Sequence, residues 1–157
     1  MTSTTLVRRR VTSPDAATTR AIGAALGGVA RAGDLICLRG DLGAGKTQLA
    51  KGIAAGLGVT TTVNSPSFIL MAEHMGRLPF FHIDLYRLAD AAEAFAGGLL
   101  DERRAGGVTV VEWAERLGTT VPVGRLEIAI EGSGDDPRIF ELAATSADFV
   151  RYLEAVP

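Results

Sequence analysis

Apolar and polar positions along this chain follow two rhythms, short aliphatic runs and longer stretches with helical spacing, and clusters of glycine, proline and small polar residues separate them. Leu6 to Val11 predicts a first strand. Ser13-Pro14-Asp15 predicts a helix start with Ser13 as side-chain cap, proline at the first helical position and an acid in the first turn. That helix is expected to run to about Arg31 with Ile22, Leu26 and Val29 on one face, stopped by Gly33 and weakened by Gly23, Gly27 and Gly28. Leu35 to Leu38 predicts a strand, and Lys46 to Leu57 a helix that ends at Gly56 and Gly58. Ser67 to His74 and Leu78 to Asp84, joined across Met75-Gly76-Arg77, predict a hairpin. Ala89 to Ala96 reads as a short helix, and Val108 to Val111 as a strand buried on both faces. Leu126 to Ile130 and Ile139 to Ala143 predict a second hairpin, and Ser146 caps a final helix to about Glu154. Strands alternating with helices, plus two hairpins, predict a three-layer α/β domain with a mixed central sheet.

The most informative stretch is the strand from Leu35 to Leu38, which runs through Arg39 into Gly40-Asp41-Leu42-Gly43-Ala44-Gly45-Lys46-Thr47. It fits the G-x-x-x-x-G-K-[ST] phosphate-loop pattern of P-loop NTPases. Glycines allow turns closed to residues with a Cβ, so the backbone N–H groups from Asp41 to Gly45 converge on an anion. Lys46 reaches the outer phosphates as a point charge, Thr47 offers its hydroxyl to magnesium, and the following helix adds its N-terminal dipole. Among sixteen basic residues only Lys46 and Lys51 are lysines, so an arginine-using chain has a lysine where a flexible phosphate ligand is needed.

Composition narrows what surrounds this loop. The 157 residues fit one domain, spanning 1–157, and a formal net charge of −2 gives no basic face for wrapping a nucleic-acid backbone. Any RNA in the biology is therefore expected to enter through a partner. The single Cys37 lies in the apolar strand as a buried, inert thiol, without a disulfide framework. Arg8-Arg9-Arg10 is followed by Val11-Thr12-Ser13-Pro14-Asp15, not by the apolar core of an export signal, and no stretch is long enough to span a bilayer. A cytoplasmic protein away from the membrane is expected. Six Phe, two Tyr and one Trp, set against many Ala, Gly, Val and Leu, predict a core of small aliphatic side chains.

A phosphate loop alone says only that phosphates bind; the chemistry needs acids. In sheets of this type ligands lie beyond the carboxyl ends of the strands. Two predicted strands end in a carboxylate there, Leu78 to Ile83 delivering Asp84 and Val108 to Val111 delivering Glu112. With the Thr47 hydroxyl they can hold one magnesium ion. His82 shares a strand face with Asp84 and is a candidate to orient it, or a core histidine; His74 reads as solvated surface. Trp113 reads as packing on a nucleotide base or on a switch loop, for which Asn64-Ser65-Pro66-Ser67-Phe68 is the candidate.

The combination of Gly40 to Thr47, Ser65-Pro66-Ser67-Phe68, His82-Ile83-Asp84-Leu85-Tyr86-Arg87-Leu88 and Glu112-Trp113 resembles the bacterial TsaE family, ATPases of tRNA threonylcarbamoyladenosine modification. The resemblance implies that Lys46 contacts ATP phosphates, that Thr47, Asp84 and Glu112 lie around Mg2+, and that the loop containing Ser67 switches. It further implies docking on a heterodimer of TsaB and TsaD, the latter transferring the threonylcarbamoyl group. Ser67 stands where the family usually has threonine, and Gln48 where it usually has threonine or serine, which leaves the Gln48 backbone N–H for the α-phosphate. Weaker carry-overs are Pro14-Asp15 near the adenine side and Arg138 in Asp136-Pro137-Arg138.

The resulting expectation is a magnesium-dependent ATPase with Lys46, Asp84 and Glu112 as its catalytic residues. A small-molecule kinase is the alternative, with Arg103-Arg104 as its sole candidate lid arginines. A GTPase-like switch ranks last, because the chain contains no N-K-x-D stretch.

Overall fold

The structure is a computed structural model that describes residues 7–41, 43–63, 71–86, 106–120 and 124–157. The helix expected at Ala89 to Ala96, the candidate switch loop with Ser67, the Arg103-Arg104 pair and loop residue Leu42 lie outside the described residues.

Among the described residues seven strands form one mixed sheet. In chain order they are β1 (Val7–Ser13), β2 (Leu35–Arg39), β3 (Met71–Met75), β4 (Pro79–Asp84), β5 (Val108–Glu112), β6 (Leu126–Glu131) and β7 (Arg138–Ala144), arranged β1-β7-β6-β2-β5-β4-β3. The four central strands β6, β2, β5 and β4 are parallel, and antiparallel pairs close each side. Both expected hairpins are present, β3 with β4 and β6 with β7. Every residue of β5 is buried, Thr109 and Glu112 included, as befits a strand in the middle of a parallel sheet.

Among the described residues three α-helices, α1 (Ala16–Val29), α2 (Lys46–Gly56) and α3 (Val150–Ala155), accompany the sheet. Alternation along β2 sends Ile36 and Leu38 into the core shared with these helices. Leu35 and Cys37 face the other way, into a smaller core with Ile83, Val111 and Leu117 under a 3-10 segment at Ala114–Thr120. The described residues contain no helix long and apolar enough to cross a membrane.

The start of α1 differs from expectation. Asp15, not Ser13, is the cap: its Oδ1 accepts from the Thr18 amide at 2.7 Å, and that backbone bond holds its carboxyl below the usual range. Ser13 pairs with Arg138 in the β1–β7 ladder and is the last residue of its strand, so it is not free to begin a helix. At the C-terminus Ser146 precedes a 3-10 turn, Ala147–Phe149, before α3 begins, and its side chain makes no capping bond.

The helical glycines also read differently in three dimensions. A Cβ on Gly27 would lie 2.1 Å from the Ile53 carbonyl oxygen, one on Gly23 2.6 Å from that of Leu49, and one on Gly52 2.3 Å from that of Arg20. Two G-x-x-x-G faces thus bring α1 and α2 into backbone contact. What sequence propensity counts as weakness is a packing requirement here. Gly28 has nothing within 4 Å of the same construction and keeps only the propensity penalty.

Gly27→Ala is therefore expected to destabilise the protein by about 1–3 kcal/mol through overpacking, despite its better helix propensity. Gly28→Ala is expected to stabilise it by up to about 1 kcal/mol. Denaturant unfolding of the two variants checks the opposite signs.

Candidate active site

Strand β2 ends at Arg39, and the chain turns at once into the glycine-rich loop. Gly40, Gly43 and Gly45 have φ of 154°, 82° and 105°, in the region that favours glycine, and a Cβ on Gly40 would lie 2.8 Å from the Ile130 carbonyl oxygen. Gly45 caps α2 without a side-chain bond, so the first amides of the helix face the loop's concavity.

Lys46 opens α2 and is 5% exposed. Its Nζ folds back on the loop, donating to the carbonyls of Gly40 and, at 2.9 Å, Asp41, and lies 4.2 Å from the centre of the Trp113 ring. Burial pushes the Lys46 pKa down, and the carboxylates of Glu112, Glu115, Asp84 and Asp41 oppose that shift.

Both predicted acids arrive at this place. Asp84 ends β4, Glu112 ends β5, and the two are register partners in the parallel ladder. The Thr47 hydroxyl lies 3.4 Å from each Glu112 carboxylate oxygen. Asp84 Oδ1 accepts from the Tyr86 amide at 2.9 Å, a local turn that fixes the carboxylate at the strand end. These donors are all oxygens, which suits a hard cation such as magnesium. Among the described residues there is no group of three His, Cys, Asp or Glu side chains able to hold a metal. Magnesium does not require such a group, since it usually takes one or two carboxylates and completes its shell with water and substrate phosphates.

His74 departs from expectation, whereas His82 meets its core reading but does not pair with Asp84. His82 is fully buried, and its Nε2 shares a 2.5 Å hydrogen bond with Glu112 Oε2, on the neighbouring strand and not with Asp84. His82 pairs with Val110, so Glu112 lies diagonally from it, one strand over and two residues on, and the reach of the two side chains closes the contact. His74, expected at the solvated surface, is half-buried: Nδ1 pairs with Thr61 Oγ1 at 2.8 Å, and its ring lies 6.0 Å from that of Phe80. Burial lowers its pKa, helped by His82.

Trp113 follows Glu112 with φ of 60°, alone among the described non-glycine residues in having a positive φ. Such a conformation costs on the order of 1–3 kcal/mol and persists only where its surroundings enforce it. Here it turns the indole under Lys46 and against Tyr86, 4.9 Å between ring centres.

Beside the loop, a cavity of about 310 Å3 runs between the start of α1 and the β6–β7 turn, lined in part by Pro14, Asp15, Thr19, Gln48, Asp136 and Arg138. Gln48 Oε1 accepts from Arg20 of α1 at 2.9 Å, so its side chain forms the cavity wall. Arg138 Nε donates to the Ala44 carbonyl at 3.0 Å, and Nη2 to those of Gly43 and Gly134, both at 3.1 Å. This guanidinium ties the glycine-rich loop to the β6–β7 turn. Sequence spacing gave no sign of the clamp, because carbonyl oxygens carry no side-chain signature.

A model of the family described as "Threonylcarbamoyl adenosine biosynthesis protein TsaE" matches residues 13–140. The chain belongs to the TsaE family. It is 46% identical over 122 residues to the tRNA threonylcarbamoyladenosine biosynthesis protein TsaE of Bacillus subtilis strain 168, covering 76% of this chain and 75% of that one. The TsaE protein of Treponema pallidum is 36% identical over 134 residues, 85% of this chain and 99% of its relative. The crystal structure of Bacillus subtilis YdiB superposes with a TM-score of 0.79 at 34% identity, covering 97% of this chain and 95% of that one. The matched span of the TsaE model contains the phosphate loop, Asp84, Glu112 and Arg138 alike.

Of the two forms of Lys46, only the charged one attracts a phosphate anion into the loop. Because the lysine's pKa is depressed, ADP affinity is expected to fall with rising pH from below the ordinary lysine value of about 10.4. A pH series of ADP titrations, followed by the fluorescence of the single tryptophan, checks this.

Proposed function

We propose that this chain is a magnesium-dependent ATPase serving tRNA threonylcarbamoyladenosine biosynthesis in the cytoplasm. The observation that carries the reading is the convergence of the Thr47 hydroxyl and the Glu112 and Asp84 carboxylates at the mouth of a glycine-rich loop whose lysine is in place. The loop amides and the N-terminus of α2 receive the phosphates. Lys46 exchanges its two carbonyl partners for phosphate oxygens. Thr47, Asp84 and Glu112 would hold Mg2+, which neutralises charge developing on the β- and γ-phosphates. Water is the acceptor, and one of the two acids positions it. Catalysis then rests on positioning and charge stabilisation of the γ-phosphoryl group.

The cavity between α1 and the β6–β7 turn offers room for the nucleoside. Ser65 to Phe68, in chain order between α2 and β3, is the proposed switch segment. Following the family, the proposed partners are TsaB and TsaD, with tRNA engaged only indirectly; the net charge of −2 supports that division of labour.

Lys46→Ala is expected to lower ATP turnover by about 100-fold or more. Phosphate release is expected from the unmodified protein without any added acceptor. Turnover unchanged in the variant contradicts the site, and release strictly dependent on one metabolite makes the protein a kinase.

A further inference from the structure

Asp84 and Glu112 occupy matching positions at the ends of neighbouring strands but are held by different devices. A backbone amide holds Asp84. Glu112 is held by an imidazole: His82 Nε2 and Glu112 Oε2 are 2.5 Å apart, with side-chain exposures of 0% and 4%. The register pairs His82 with Val110, so the ring sits one strand over and two residues below the carboxylate, on the same face of the sheet. The other ring nitrogen, Nδ1, is buried with no hydrogen-bond partner among the described residues. A histidine retained only to fill core space gains nothing from that orphaned nitrogen, since an aromatic hydrocarbon would pack beside Phe80 without it. Among the described residues the one polar contact this ring makes is with Glu112.

We propose that His82 is the positioning residue of the magnesium site. By holding Oε2 it fixes the Glu112 carboxylate in the single orientation that faces the Thr47 hydroxyl. A glutamate has three side-chain torsions, and freezing them before the metal arrives removes an entropic penalty from metal binding. Groups that orient metal-ligating carboxylates typically affect metal affinity or activity 10–100-fold when removed (roughly). The inference rests on reading the site as one for magnesium and ATP.

The test is ADP binding by calorimetry, with excess Mg2+ and with EDTA, on the unmodified protein and on His82→Gln, His82→Asn and His82→Phe. Glutamine places an amide nitrogen near the position of Nε2, whereas asparagine reaches only as far as Nδ1. His82→Asn and His82→Phe are expected to need about 10–100-fold more Mg2+ for tight ADP binding and to lose kcat. Their affinity in EDTA is expected to be unchanged, and His82→Gln to retain most of the metal response. Equal metal dependence in all folded variants, or equal loss in His82→Gln and His82→Asn, overturns the proposal. Should the substitutions prevent folding, imidazole NMR of the unmodified protein decides: the His82 Nε2 signal is expected to shift with Mg2+ and ADP together more than with ADP in EDTA, and an identical response overturns the proposal. An unmodified protein whose ADP binding ignores Mg2+ overturns the magnesium reading itself, which separates the two failures.

Discussion

The row of register partners Leu38, Glu112 and Asp84, crossing β2, β5 and β4, is the constraint on which the site depends. Parallel pairing puts the carboxyl ends of these strands on one edge, so the chain's phosphate loop and its two acids emerge together. A slip of one residue in either ladder would turn an acid to the opposite face, into the small core beside Ile83 and Val111. The buried aliphatic residues that fix the register therefore fix the chemistry as well. Apolar packing on both faces of β5 leaves Glu112 one place to go, above the N-terminus of α2.

The second constraint is the approach of α1 to α2. Glycines at 23, 27, 52 and 56 let the two helices meet at their backbones, and this proximity places Arg20 against Gln48 and the α1 start beside the loop. The cavity next to the phosphate loop exists because these helices are close at that end while the β6–β7 turn closes the far wall. Arg138 links that turn to the loop through carbonyls, so the cavity and the glycine-rich loop share one side-chain tie.

How much of this was legible in the sequence follows from the kind of signal each feature leaves. The loop, Asp84 and Glu112 were readable, because the first has fixed glycine spacing and the others end apolar runs. The strands and both hairpins were readable from period and turn chemistry. The glycine contact between helices was read as helix weakness, since propensity treats each helix alone. The core position of His82 was among the readings but its partner was not: alternation along one strand shows which of its own residues share a face, and only the parallel register shows that Glu112 of the next strand shares that face too. The α1 cap moved from Ser13 to Asp15 because a ladder partner on β7 claimed the serine, a fact of tertiary pairing. Arg138 was reached by resemblance and its carbonyl clamp was not reached at all.

In the structure Lys46 rests on the carbonyls of its own loop and on Trp113, so binding phosphate requires it to exchange one set of contacts for another. The strained backbone of Trp113 keeps the indole beneath that exchange. The central claim, that one metal ion is shared by Thr47 and the two strand-end acids, is tested most directly by a crystal structure with a non-hydrolysable ATP analogue and Mn2+ located by its anomalous signal. The metal is expected about 2.1 Å from Thr47 Oγ1 and no more than one bridging water from Asp84 and Glu112. A metal bound elsewhere, or acids turned away from the phosphates, would contradict it.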